Sequence, residues 1–130
     1  MSDVRQFRVD LPMPAVRVVE SDAAVRDSIC GLLELWDIEA YSFSRGEAFL
    51  EDFRHLPGGI VLCAAELPDM HGLDVYEAVI DEAPGTEFAL LISRRVRDTA
   101  IEAQLAGVTN ILHKPVIDTE QLLEFVGVER

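Results

Sequence analysis

Several polar side chains in this sequence stand where an apolar run gives way to a loop. Glu20 and Ser21 follow Val16-Arg17-Val18-Val19, Ser93 follows Leu90-Leu91-Ile92, and Lys114 follows Ile111-Leu112-His113. Glu66 comes two residues after Ala64, itself at the end of Ile60-Val61-Leu62-Cys63, and alternation along an extended chain puts it on the same side as position 64. Two carboxylates brought together can bind a cation, and a serine beside a lysine can act as a nucleophile. The Ser93/Lys114 pair comes with no oxyanion loop and no substrate-shaped signal. His55, His71 and His113 share no metal-ligand spacing, and HExxH, GxSxG, GxGxxG and phosphate-loop patterns are all missing from the sequence. Enzymatic readings therefore have little to stand on, and a non-enzymatic module is expected.

The chain that must position these groups has 130 residues, which is the size of one domain with one hydrophobic core. Apolar residues make up 49% of it, enough to fold. Its 24 acidic and 11 basic residues give a net charge of −13, which repels phosphate backbones and anionic membranes, so direct nucleic-acid and membrane binding are not expected. Cys30 and Cys63 both lie in apolar runs without a disulfide framework or CxxC, as in a reduced cytosolic protein. Residues 1–14 carry no signal-peptide apolar region and read as an N-terminal arm; residues 15–127 form the domain and 128–130 a short tail. The expected location is the cytoplasm.

Strand and helix patterns alternate along the domain. Ala15–Val19 is the first strand; Asp22 is an N-cap, and Val25, Ile29, Leu32, Leu33 and Trp36 recur at helical spacing. Ala40–Phe43 is the second strand, followed by a Ser44/Glu47 capping box ahead of Phe49, Leu50 and Phe53. Ile60–Cys63 is apolar on both faces, as a central parallel strand should be. The turn 67–72 leads into a helix over Leu73–Ala83, and Glu87–Ile92 is the fourth strand. Asp98 and Thr99 open a helix through Leu105 that Gly107 closes in a left-handed cap; Val108–Leu112 is the fifth strand, and Asp118 with Gln121 opens a last helix through Val126. Five strands alternating with five helices predict an α/β fold, a doubly wound (βα)5 open parallel sheet with its site at the carboxyl ends of the strands.

An acidic cluster before the first helix, an apolar strand running into x-x-x-Leu67-Pro68-x-Met70-x-Gly72-Leu73, Ser93 after the fourth strand and Lys114-Pro115 after the fifth together resemble the receiver domain of two-component response regulators. The resemblance covers about residues 15–127 and implies the flavodoxin-like receiver fold and phosphorelay signal transduction. The family's chemistry transfers a phosphoryl group from phosphohistidine to aspartate, and Mg²⁺ neutralises the oxygens that repel it. Counting back four positions from Pro68, the acceptor should stand at 64, where this chain has Ala64. Glu20 and Ser21 stand where the family has its acidic pair, with Ser21 in place of the usual metal ligand, so Mg²⁺ binding is expected to be weak or absent, with no other cofactor. Lys114, the sole lysine among eleven basic residues, matches the family's phosphoryl-binding lysine. Ile111 replaces the Tyr or Phe that swings inward on activation, and Arg94 replaces a small residue.

These departures imply a pseudo-receiver acting through protein–protein contacts that do not require phosphorylation. Its partners would be proteins such as a kinase or an output domain. The alternative is an ordinary phospho-accepting receiver whose aspartate has been exchanged for Ala64; Ser21, Arg94 and Ile111 do not fit that story. Lys114 beside Glu20 reads as a structural ion pair, and Glu66 as an exposed loop carboxylate. Arg94, Arg95 and Arg97 are either a solvated loop or, with Ile111, part of a switch and output surface. In the family that surface comprises the fourth helix, fifth strand and fifth helix, through which a homodimer could also form.

Overall fold

A computed structural model describes residues 15–93, 97–114 and 119–127 of the chain. Its strands are β1 (Val16–Val19), β2 (Ala40–Phe43), β3 (Ile60–Ala64), β4 (Glu87–Ser93) and β5 (Asn110–Lys114). Its helices are α1 (Ala23–Leu35), α2 (Gly46–His55), α3 (Gly72–Glu82), α4 (Arg97–Ala106) and α5 (Thr119–Val126). All strand pairs are parallel, in the order β2-β1-β3-β4-β5, so the expected doubly wound open parallel sheet, of flavodoxin-like order, is what the chain adopts.

Alternation along the strands divides the core in two. Val16, Val18, Leu62 and Leu91 pack on one face with Ile29 and Leu33 of α1 and Leu122 of α5. Val19, Val61, Cys63 and Leu90 pack on the other with Phe49 and Phe53 of α2 and Val75 of α3. Because both faces are covered, β1 and β3 contain no exposed residue, which is why they read as continuous apolar runs. Arg17 is the exception in type but not in burial. Its Nε donates to Asp52 Oδ2 at 3.1 Å and its Nη1 to the Gly58 carbonyl at 3.2 Å, while the guanidinium lies 5.2 Å from the Phe53 ring centre.

Several local expectations are corrected. β5 runs from Asn110 to Lys114, two residues later than expected, because Val108 belongs to the end of α4. The Gly107 N–H donates to Gln104 O and the Val108 N–H to Ala103 O, both bonds of a Schellman motif, and buried Val108 supplies its apolar contact. Gly107 itself has φ 101°, the left-handed cap predicted for it. The Ser44/Glu47 capping box does not cap α2. Instead Asp69, in the loop after β3, accepts from the N–H groups of Gly46 (3.0 Å) and Glu47 (2.9 Å). Asp22 does cap α1, its Oδ1 accepting from the Ala24 and Val25 N–H groups.

The same loop fixes α3, which starts at Gly72, one residue earlier than expected. A Cβ on Gly72 would lie 2.3 Å from the Ala64 carbonyl oxygen, so only glycine lets the helix begin against the end of β3. β4 extends to Ser93, which pairs in register with Lys114, so both residues belong to strand ends rather than to following turns. Arg94, Arg95, Pro115 and Asp118 lie outside the described residues, and Arg97 is described only as the backbone start of α4.

Candidate functional site

The carboxyl ends of β1, β3, β4 and β5 form the rim where the candidate residues stand. Glu20 is the first residue beyond β1, and its N–H donates to the Phe43 carbonyl at 2.9 Å. Its side chain is only 2% exposed, and both carboxylate oxygens are engaged. Oε2 accepts from the Asp22 N–H at 2.9 Å. Oε1 faces the Lys114 ammonium at 2.6 Å, in an ion pair lying off hydrogen-bond geometry. Strands β3 and β4 lie between β1 and β5, so this contact crosses the ends of both. Two long side chains are needed to span that gap, and Glu and Lys supply them.

Ala64, the last residue of β3, is fully buried and stands next in register to Glu20, since Val19 pairs with Cys63. Around it the backbone is saturated: the Ala65 N–H donates to Leu91 O at 2.8 Å and the Gly72 N–H to Ala65 O at 2.7 Å. At this strand end the side chain offers a methyl group where a phosphoryl acceptor needs an oxygen. Burial pushes the neighbouring Cys63 thiol far up, and the Glu20 carboxylate adds to this, so Cys63 stays a protonated core group. Cys30 is also raised, first by partial burial and then by Asp27.

The remaining site residues separate from this centre. Ser21 is exposed, and Asp22, the other acid of the cluster, commits its carboxylate to the α1 cap. Arg26 closes the loop from the far side, its Nη1 donating to the Glu20 carbonyl at 2.8 Å. Ser93 is exposed beside Lys114. Glu66 is an exposed carboxylate in the loop, where its backbone bridges His71. Ile111 is half-buried against the core cluster containing Leu90 and Ile92. Among the described residues, no three His, Cys, Asp or Glu side chains come together as metal ligands, and no helix is long and apolar enough to cross a membrane.

One residue that positions the site was missed from sequence. Asp69 ties the loop after β3 to α2. Desolvation raises its carboxyl, but the Glu47 and Gly46 N–H groups, aided by Arg45, outweigh this and hold it below the usual range. The available signal was its place inside Leu67-Pro68-Asp69-Met70, a turn with a side chain suited to accepting backbone N–H groups.

The family model for the response regulator receiver domain matches residues 16–127. A curated relative, the transcriptional regulatory protein FixJ of Bradyrhizobium diazoefficiens, is 30% identical over 105 residues, which cover 79% of this chain and 50% of that protein. The regulatory protein LuxO of Vibrio cholerae is 30% identical over 98 residues, 75% of this chain and 22% of its own. The chain thus spans half or less of these relatives. Among solved structures, a CheY-like receiver domain protein from Methanospirillum hungatei superposes with a TM-score of 0.79 at 22% identity, covering 88% of this chain and 91% of that one.

Proposed function

The chain belongs to the response regulator receiver domain family, and from that premise we propose that it is a signalling module working without phosphorylation of its own β3 end. The observation that carries this reading is Ala64, buried next in register to Glu20, whose carboxylate is ion-paired with Lys114. In this reading Lys114 is held by an internal carboxylate rather than kept for an incoming phosphoryl group. Glu20 and Asp22 are likewise occupied, by Lys114 and by the α1 cap, so Mg²⁺ finds no free carboxylate cluster and binds weakly or not at all. The module is not an enzyme and acts in the cytoplasm through protein partners, a kinase or an output domain. Contact runs over the α4–β5–α5 face with Arg94, Arg95, Arg97 and Ile111, a face that also suits a homodimer. The net charge of −13 argues against nucleic acid and membrane as direct partners.

The test is to incubate the chain and its Ala64→Asp variant with a small-molecule phosphodonor and Mg²⁺ and read intact mass. Neither is expected to gain a phosphoryl group. Stoichiometric labelling of the unaltered chain would overturn the proposal, and robust labelling of the variant would favour an ordinary receiver pocket that lacks only its acceptor.

A further inference from the structure

The sheet order puts β2 at the opposite edge from β5, well apart from the α4–β5–α5 face. Among the described residues no strand pairs with β2 on its outer side. The Glu39 and Phe43 carbonyls accept from the Val16 and Glu20 N–H groups, so the alternate residues Ala40 and Ser42 turn their N–H and C=O groups outward. Sheet edges are commonly blunted by a charge, a proline or a bulge. Ala40–Phe43 has none of these, and its four residues pair one to one with Val16–Val19.

A groove of about 520 Å³ lies alongside, lined by Tyr41 and Phe43 of β2, by Asp52 and Leu56 at the end of α2, and by Arg17 of β1. Tyr41 is 48% and Leu56 70% exposed, so an aromatic ring and an aliphatic side chain stand uncovered beside the open edge. Charge here is uneven. The Arg17 side chain is 9% exposed and is taken up by Asp52 and backbone carbonyls, so it presents little charge to a ligand. Asp52, by contrast, is half-exposed. Exposed Glu39 stands two residues before Tyr41, on the same side of the extended chain. The Tyr41 hydroxyl is pushed up first by its hydrogen bond to Glu39 and by that carboxylate's charge, then by slight desolvation and Asp52, so both acids act at this ring. The basic residues of the last α2 turn, Arg54 and His55, are not among the groove's lining.

We propose that this edge receives an extended segment of a basic protein partner, which pairs with Ala40 and Ser42 and lays an arginine over the Tyr41 ring within reach of Glu39 and Asp52. Arginine suits the place because its flat guanidinium stacks on an aromatic face, its stem covers apolar surface such as Leu56, and its several donors meet carboxylates. A second copy of this chain is the poorer occupant, since it brings another net charge of −13 and the same two acids to the edge. The four residues of β2 limit the contact to a short segment, so this binding is weak and reversible.

The test titrates the isotope-labelled full chain with a blocked seven-residue peptide alternating arginine and threonine, and follows amide shifts. Saturable shifts at Ala40–Phe43 and Leu56 are expected, with a dissociation constant of about 0.1–1 mM. Tyr41→Thr, which keeps a strand-forming residue, should weaken binding about three- to fivefold, and Glu39→Gln about twofold or more. The same peptide with glutamate for arginine should not bind, and methylating the peptide's backbone nitrogens should abolish binding. Absence of saturable shifts at β2, equal binding of the glutamate peptide, or undiminished binding of the methylated one would each overturn the proposal. So would shifts spread over the acidic surface that both variants leave unchanged. Slow exchange of the Ala40 and Ser42 amides without peptide would show the edge to be covered already and overturn it as well.

Discussion

Replacing Lys114 with Met tests the ion pair at the sheet end most directly. The thioether keeps much of the lysine stem's bulk and removes only the charge, leaving the Glu20 carboxylate, 2% exposed, with a single backbone donor from Asp22. Breaking one side of a fully buried pair costs about 3–5 kcal/mol. Lys114 is 26% exposed, so water partly screens the pair, and the expected loss falls to roughly 2–3 kcal/mol. For a domain of this length that corresponds to a fall in melting temperature of roughly 8–12 °C. Urea unfolding followed by the fluorescence of half-buried Trp36 reads the change, since this is the only tryptophan. Adding Glu20→Gln should then recover at least half of the loss, because an amide oxygen still accepts from Asp22 while the unpaired charge is gone. A Lys114→Met cost within about 0.5 kcal/mol, the range of an ordinary surface substitution, would refute the reasoning. So would a double variant no more stable than the single one.

Other consequences follow from the loop after β3. Gly72→Ala should destabilise by about 1–3 kcal/mol in denaturant melts, since the new methyl meets the Ala64 carbonyl, whereas Gly31→Ala in α1, where nothing lies within 4 Å, should stabilise by about 0.5–1 kcal/mol. Asp69 is depressed in the folded chain, so the unfolded chain binds its proton more tightly. Its contribution is complete above the unfolded value of about 3.9 and is lost as pH falls through the lower folded value. Asp69→Asn should therefore flatten the acid limb of a urea-midpoint profile below about pH 4, and an acid limb identical to that of the parent chain would contradict this.

The residues that read correctly from sequence are those whose signal is local. The continuous apolar runs of β1 and β3 follow from burial on both faces, and Asp22 as cap and Gly107 as terminator act within a few residues of their own positions. Glu20 and Lys114 could be paired from sequence because the fold class brings strand ends to one rim. Two of the misses were non-local, and a third was local. Asp69 caps a helix more than twenty residues upstream, and no spacing rule finds it. Arg17 looks like a misplaced charge in an apolar strand until Asp52, Gly58 and Phe53 are seen around it. Val108 misled because an apolar residue after a glycine suits both a strand start and a Schellman contact, and only the hydrogen bonds distinguish the two.

The placement of Glu20 beside Ala64 also makes the two positions depend on each other. An aspartate at position 64 would set a second carboxylate next in register to a buried one already paired with Lys114. Two such groups in a site of low dielectric raise each other's proton affinity, so the charge of either is costlier when the other is present. Replacing Ala64 with Asp should therefore cost more beside Glu20 than beside a neutral residue at position 20. The tolerance of position 64 is thus set by what stands at position 20, and the two behave as one unit of substitution.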